Sequence, residues 1–190
     1  YAFSDIVSLG YEIDESVTNN RSLNALPLYS AQPYFFQDPA RISKFEACLD
    51  MDAGLAIGTE NLYAQLGINN NSFGPFYSDN AVISPLAKHN ANFSFVYKND
   101  YFTYTQAMLG LSASNAYNDY LYPQKYLALH SVNANIFDWL SASYYEVMLF
   151  GDRFEPAYII PAPFMVTQGL SGYEDNLFMG LSFTIRPVKN

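Results

Sequence analysis

Between Phe45 and Ile57 the chain alternates without a break. Phe45, Ala47, Leu49, Met51, Ala53, Leu55 and Ile57 hold the odd positions, and Glu46, Cys48, Asp50, Asp52, Gly54 and Ala56 the even ones. A period of two sends alternate side chains to opposite faces of a strand, so the carboxylates all lie on one face. The run is longer than the about 5–6 residues of an ordinary globular strand and covers the about 9–11 that a tilted membrane-crossing strand needs. Length, more than hydrophobicity, sets the expectation of a barrel wall.

The pattern then repeats. Gly58-Thr59-Glu60 makes a tight connection, after which Leu62, Ala64, Leu66 and Ile68 alternate with polar or small residues. Phe93, Phe95 and Tyr97 do the same over residues 92–98, Asn99-Asp100 reads as a two-residue turn, and residues 101–112 return as a strand. Residues 125–135 and 140–150 form a further pair around a turn at Asn135-Ile136-Phe137-Asp138, and Leu177, Met179, Leu181, Phe183 and Ile185 close the series. Residues 69–90, 115–124 and 151–175 are long, polar or proline-bearing connections, the last with room for a helical turn near residues 164–168. Tight turns at one end and long loops at the other are the outer-membrane barrel habit. Seven long strands are predicted, with one or two more before Leu28. Residues 1–17 offer only a short alternating piece at Phe3, Asp5, Val7 and Leu9, and the proline-bearing residues 19–38 read as a loop.

The fold class this predicts is all-β, an antiparallel up-and-down meander of long strands that forms part of a transmembrane β-barrel. A soluble β-sandwich requires the same strands to bend and break. The chain starts at Tyr1 without an initiator methionine and stops just after a strand-like run, so residues 1–190 are read as one barrel domain, a portion of a larger barrel.

Composition narrows the function. No window approaches 18 consecutive apolar residues, so no transmembrane helix is predicted. Tyr (17) and Phe (15) dominate the aromatics, and such rings favour places with one apolar and one wet side, such as a membrane interface or a sugar-binding surface. Net charge is −9 with nine scattered basic residues, which excludes a nucleic-acid footprint. The single cysteine, Cys48, excludes an internal disulfide framework. His89 and His130 have no partner at metal-ligand spacing, so neither a metal nor any other cofactor is predicted. His130 and Ser131 are adjacent and so point to opposite faces of a strand, which removes them as a hydrolytic dyad. The acids Glu46, Asp50 and Asp52 fit the lining of a watery lumen, and this supports an alternative, a porin-like channel for small solutes or cations.

Two clusters have the chemistry of a sugar-binding rim, where aromatic rings stack on sugar faces and planar polar groups hold hydroxyls. One is Tyr77, Asp79 and Asn80, beside Phe76. The other is Glu146, Arg153 and Tyr158, beside Phe154. Glu146 shares a strand face with Tyr144 and Met148, where a carboxylate needs a partner. Arg153 can fold back to meet Glu146 or Glu155.

Two blocks carry a family resemblance. They are Gly74-Pro75-Phe76-Tyr77-Ser78-Asp79-Asn80-Ala81, and Glu146 followed by Gly151-Asp152-Arg153, Pro156-Ala157-Tyr158-Ile159-Ile160-Pro161, Asp175-Asn176-Leu177-Phe178-Met179-Gly180-Leu181 and Arg186-Pro187-Val188. In order and spacing they resemble the Wzi-type capsule-assembly family of outer-membrane β-barrels. The resemblance implies a bacterial outer-membrane protein with no catalytic step. Its partners would be surface or capsular polysaccharide, which it attaches or helps assemble, and outer-membrane lipid. Asp152 between Gly151 and Arg153, and Ile160 before Pro161, depart from the family pattern.

Overall fold

Alternation becomes a sheet because each strand is joined to the next by a connection that brings it straight back. The computed structural model describes residues 6–18, 46–69, 71–74, 82–83, 90–111, 125–160 and 175–186; of residues 14–18 and 46–51 only the backbone is described. Eight strands, β1 (Val7–Thr18), β2 (Glu46–Gly58), β3 (Leu62–Asn69), β4 (Asn90–Lys98), β5 (Phe102–Leu111), β6 (Lys125–Phe137), β7 (Leu140–Gly151) and β8 (Asn176–Ile185), form one sheet. Each pairs antiparallel with its neighbours in sequence, in the order β1 to β8. The architecture is the predicted all-β antiparallel meander.

The three short connections share one end. In the first, Thr59 N–H donates to the Leu62 carbonyl at 2.8 Å, and Gly58 takes φ 140°, a conformation in which an added Cβ would lie 2.2 Å from that carbonyl oxygen. In the second, Asn99 N–H donates to the Phe102 carbonyl, and the Asn99 side-chain oxygen accepts from Tyr101 and Phe102 N–H, each at 2.9 Å. The two bends are therefore Asp100 and Tyr101, one position beyond the Asn99-Asp100 turn expected, because Asn99 acts as an Asx cap. The third is Asp138–Trp139: β6 runs two residues past the expected 135 and carries a bulge between Asn135 and Phe137.

β1 is one of the one or two strands expected before Leu28, and it is longer than the short alternating piece read over residues 1–17. It is a full strand of 12 residues, paired along its whole length with β2. The alternation of Val7, Leu9, Tyr11 and Ile13 continues beyond the short piece recognised, but Ser8, Gly10 and Glu12 between them give it little propensity of its own. Pairing with β2 supplies what propensity does not. The region expected to hold a helical turn near residues 164–168 lies outside the described residues.

Following the register across the sheet separates two faces. One carries Leu9, Tyr11, Leu55, Leu66 and Ile68, and on β8 Met179, Leu181 and Phe183; all of these are exposed. The other carries Ser8, Glu12, Asp52, Gln65, Asn92 and Ser94. We refer to them as the Leu9 face and the Glu12 face. The outer strands therefore show large apolar groups to the surroundings mainly on the Leu9 face, although Phe178 on β8 is exposed on the Glu12 face.

Strands β5–β7 differ, because chain packs on both of their faces. On the Glu12 face Leu109, Leu127, Leu129, Tyr145 and Val147 form a core with Ile83. On the Leu9 face Met108, Ala128, Met148 and Phe150 form a second core with Tyr158. Connections from β3 to β4 and from β7 to β8 supply the covering groups.

The Glu12 face is the crowded one. A Cβ on Gly67 would lie 2.5 Å from the backbone oxygen of Ala53, and one on Gly180 would lie 2.3 Å from the ring of Tyr145, its direct cross-strand neighbour. Gly10, two rungs from Gly67 on the same row, has open space beside it. Gly67→Ala is therefore expected to destabilise the protein by about 1–3 kcal/mol through overpacking against backbone, while Gly10→Ala is expected to be neutral or to stabilise by up to about 1 kcal/mol. Urea unfolding of the two variants under the same conditions checks the contrast.

Candidate functional site

The candidate site grows from one rung of the sheet. Gln106 on β5 lies opposite His130 on β6, and His130 lies opposite Glu146 on β7. All three side chains are on the Leu9 face and all are buried, Glu146 completely. Three polar groups on an otherwise apolar face require partners, because a buried polar group without one costs about 1–3 kcal/mol or more.

The partners come from the chain that follows β7. Gly151 ends the strand, and Asp152 takes a left-handed conformation at φ 64°, which Asp tolerates better than most side chains. The chain turns there and folds over β5–β7 as a strap. Pro156–Ile159 forms a 3-10 turn capped by Glu155, whose Oε1 accepts from Ala157 N–H at 3.1 Å; Pro156 fits the first turn because it has no N–H to satisfy. Tyr158, in the middle of that turn, is 0% exposed. Its ring packs against Phe150 with centroids 5.0 Å apart.

The strap is fastened to the rung through its backbone. The Tyr158 carbonyl accepts from His130 Nε2 at 3.2 Å and from Gln106 Nε2 at 3.4 Å, and Gln106 Nε2 also donates to the Ile159 carbonyl. A carbonyl can only accept, so Nε2 of His130 carries a proton. Nδ1 then faces Glu146, 3.7 Å from Oε1, while Tyr144 donates its hydroxyl proton to Oε2 at 3.2 Å. Tyr104 closes the other side, its ring centroid 6.2 Å from that of His130.

A second fastening ties the two ends of the strap together. Asp175, just before β8, accepts at Oδ2 from Arg153 Nη2 at 2.5 Å and from the Tyr158 hydroxyl at 2.7 Å. Arg153 Nε lies 3.8 Å from Glu155 Oε2. The hydrogen bond to Asp175 holds the Arg153 guanidinium above its ordinary pKa. Burial, helped by the bond to Asp175, raises the Tyr158 phenol above its ordinary value.

The sequence-predicted residues are thus placed as follows. Glu146, Arg153 and Tyr158 do lie at one strap, but Glu146 and Tyr158 face inward, and only Arg153 is partly exposed. Arg153 takes Asp175 and Glu155, the second of the two partners expected, and Glu146 takes His130 and Tyr144. Tyr77, Asp79 and Asn80 lie outside the described residues. His130, read as an isolated polar residue, is central; Gln106 was not singled out, and Asp175 was named only within the block that carries the family resemblance. His130 and Ser131 occupy opposite faces, as their adjacency requires. Among the described residues no three His, Cys, Asp or Glu side chains are grouped so that they could hold a metal ion.

A signal for His130 exists in the hairpin, but the bulge hides it. The last pair before the turn is Phe137 with Leu140, which counted back evenly sets residue 130 opposite Val147. The extra residue between Asn135 and Phe137 shifts the count by one and brings Glu146 opposite instead. The Ser141 hydroxyl, donating to Asn135 Oδ1 at 3.1 Å, pins the bulge. When the chain is compared with profiles of known families, with curated proteins and with solved structures, nothing matches.

Two tests follow from this geometry. Replacing His130 or Glu146 alone by Leu leaves the other group buried without its partner and is expected to cost about 3–5 kcal/mol, whereas the double change to Leu should cost much less than the sum. A double-mutant cycle of urea unfolding, followed by the fluorescence of the single Trp, measures this directly. The second test concerns alkali. Because the folded protein holds the Tyr158 proton more tightly than the unfolded chain, this contribution to stability is complete below the ordinary phenol pKa of about 10 and is lost as pH rises through the higher folded value. Tyr158→Phe should be less stable at pH 8 and should show a smaller alkaline decline than the unaltered protein.

Proposed function

We propose that this chain is wall of a bacterial outer-membrane β-barrel that attaches or helps assemble surface polysaccharide without catalysing a reaction. The observation that carries the membrane reading is the concentration of exposed large apolar groups on one face of long strands. Leu66 is 60% exposed and Leu181 62%, each near the middle of its strand, with Tyr11 and Phe183 equally open beside them. In water such a surface is a liability, since soluble monomers rarely expose large contiguous apolar patches. Over β1–β3 and β8, where this face is bare, it is what a barrel wall presents against hydrocarbon, with backbone groups paired between strands; over β5–β7 the strap covers the same face.

Two further features support the reading. The described short turns all lie at one end, as in outer-membrane barrels. At that end Phe137 and Trp139 stack with centroids 5.5 Å apart, both exposed, and Tyr101 is more exposed still. Such rings suit the boundary between hydrocarbon and water. The polysaccharide part rests on the resemblance to the Wzi-type family and on the aromatic and polar residues of the long connections. Arg153 is the candidate glycan contact that remains accessible in the folded strap.

A second reading, a porin-like channel, has one observation in its favour. Glu12 and Asp52 lie directly opposite each other and line a groove of ≈ 460 Å³ on the Glu12 face together with Gln65 and Asn69. Paired like charges across a rung favour a watery, cation-attracting surface.

Leu181→Arg distinguishes membrane from water. In a bilayer the change is expected to cost about 2–4 kcal/mol and to deplete the protein from carbonate-washed outer membranes. In a soluble protein an exposed Leu→Arg change should stay within about 0.5 kcal/mol and leave recovery unaltered. The same membranes provide the companion measurement: an integral barrel keeps a gel mobility that changes on boiling. Binding of isolated surface polysaccharide to intact cells with and without the protein then tests attachment.

A further inference from the structure

His130 and Glu146 form a buried titratable pair that the proposed function does not use. They are direct cross-strand partners, with Nδ1 3.7 Å from Oε1. Nε2 of His130 donates to the Tyr158 carbonyl, so the proton on that nitrogen is committed to the strap. A second proton must lie between Nδ1 and Oε1. Without it, an imidazole lone pair faces a carboxylate and the pair buries a net negative charge. With one proton more, the pair buries a net positive charge. Either excess is costly under cover, because a buried charge is tolerated only beside an opposite one.

The groups packed around the pair leave its charge to the pair itself. On β5, Gln106 is uncharged and Tyr104 is a phenol whose ring lies 6.2 Å from that of His130. On β7, Tyr144 donates its hydroxyl proton to Glu146 Oε2, and β8 meets Glu146 with Met179. From the strap, Tyr158 turns its carbonyl to His130 and its hydroxyl to Asp175, while Arg153 pairs with Asp175 and Glu155. An ordinary phenol is neutral below about pH 10. The charge beneath the strap is therefore set by how many protons His130 and Glu146 hold.

We propose that the strap is a proton-gated cover, seated on the rung only while His130 and Glu146 share a single proton between them. In water a carboxyl titrates at about 4.3 and an imidazole at about 6.5. Below that interval, lifting the strap takes up a proton; above it, lifting releases one. Acid and alkali therefore both favour the lifted strap, each by up to about tenfold per pH unit. The gate depends on neither the barrel nor the polysaccharide reading. If the polysaccharide reading holds, the same protons keep Arg153, its accessible contact, in place.

Two thiols, each introduced into the full-length protein with Cys48→Ser as background, report whether the strap is seated. Ile159 packs against the core that includes Tyr158, and its neighbour Ile160 is exposed. The rate at which Ile159→Cys reacts with a disulfide reagent is divided by that of Ile160→Cys at the same pH, which removes the intrinsic pH dependence of thiol chemistry. Between about pH 4 and about pH 10 this ratio should pass through a minimum and rise about tenfold on either side. With Glu146→Gln the rung is neutral when the imidazole is neutral, so the alkaline rise should vanish and the acid rise remain. With His130→Gln the order reverses: the strap should be seated in acid and lift as pH increases. A ratio flat with pH, or one profile common to both variants, overturns the gate and leaves the two residues a structural pair. Where a single variant fails to fold, the double change to Leu decides: a minimum that survives without the pair overturns the proposal, and a flat profile supports it. The ratios are read whether or not the protein enters a membrane, so failure of the barrel reading shows separately.

Discussion

A carboxylate with no exposed surface dictates most of what happens around β5–β8. Glu146 stands on a face that is apolar on the outer strands, and no apolar neighbour can compensate its charge or its lone pairs. His130 and Tyr144 answer it within the sheet. His130 in turn needs an acceptor for Nε2, and the Tyr158 carbonyl, brought in from outside the sheet, supplies it. The strap, its left-handed corner at Asp152 and its clip at Asp175 are all consequences of covering this one rung. Buried ion pairs add little net stability compared with apolar packing, but they punish any arrangement that separates the partners. The row is therefore best understood as fixing where the strap lies.

The same three strands are covered on the opposite face by the ribbon formed where Phe73 and Ile83 pair. The two covers differ in kind. The strap is held by polar contacts to backbone carbonyls and by ring packing, whereas the ribbon is held mainly by apolar contact with a leucine-rich surface. Strands buried on both faces lose the clean alternation of one-sided strands. This is why Met108-Leu109 and Val147-Met148 run as continuous apolar pairs where Leu66-Gly67 does not.

Much of this fold could be read from the chain itself, for identifiable reasons. The alternation of residues 45–57, the Gly58 corner and the run from Leu177 to Ile185 each depend on local pattern, and the structure places strands there within a residue or two. β1 was underestimated because its identity depends on its partner more than on its own residues. The site was less legible. Glu146, Arg153 and Tyr158 were recognisable as residues that need partners, but which partner each receives depends on a one-residue bulge and on a strap that crosses from β7 to β5. Asp175 stood only in the block of the resemblance, with no role of its own. Nothing in the local sequence says that the carbonyls of residues 158 and 159 will be the acceptors for two side chains on other strands.

The neighbour-to-neighbour order of the strands also has a kinetic meaning. Every ladder in the sheet joins segments adjacent in sequence, and hairpins closed by short turns form on the microsecond scale, on the order of 1–10 μs in isolation. The strap contact from Gln106 to Ile159 instead closes a loop of 53 positions and makes sense only once β5, β6 and β7 are already side by side. The polar rung is therefore assembled bare and sheathed afterwards. Until the strap arrives, the three side chains lack the partners it brings, so the long-connection end of these strands is the last part of the molecule to be completed.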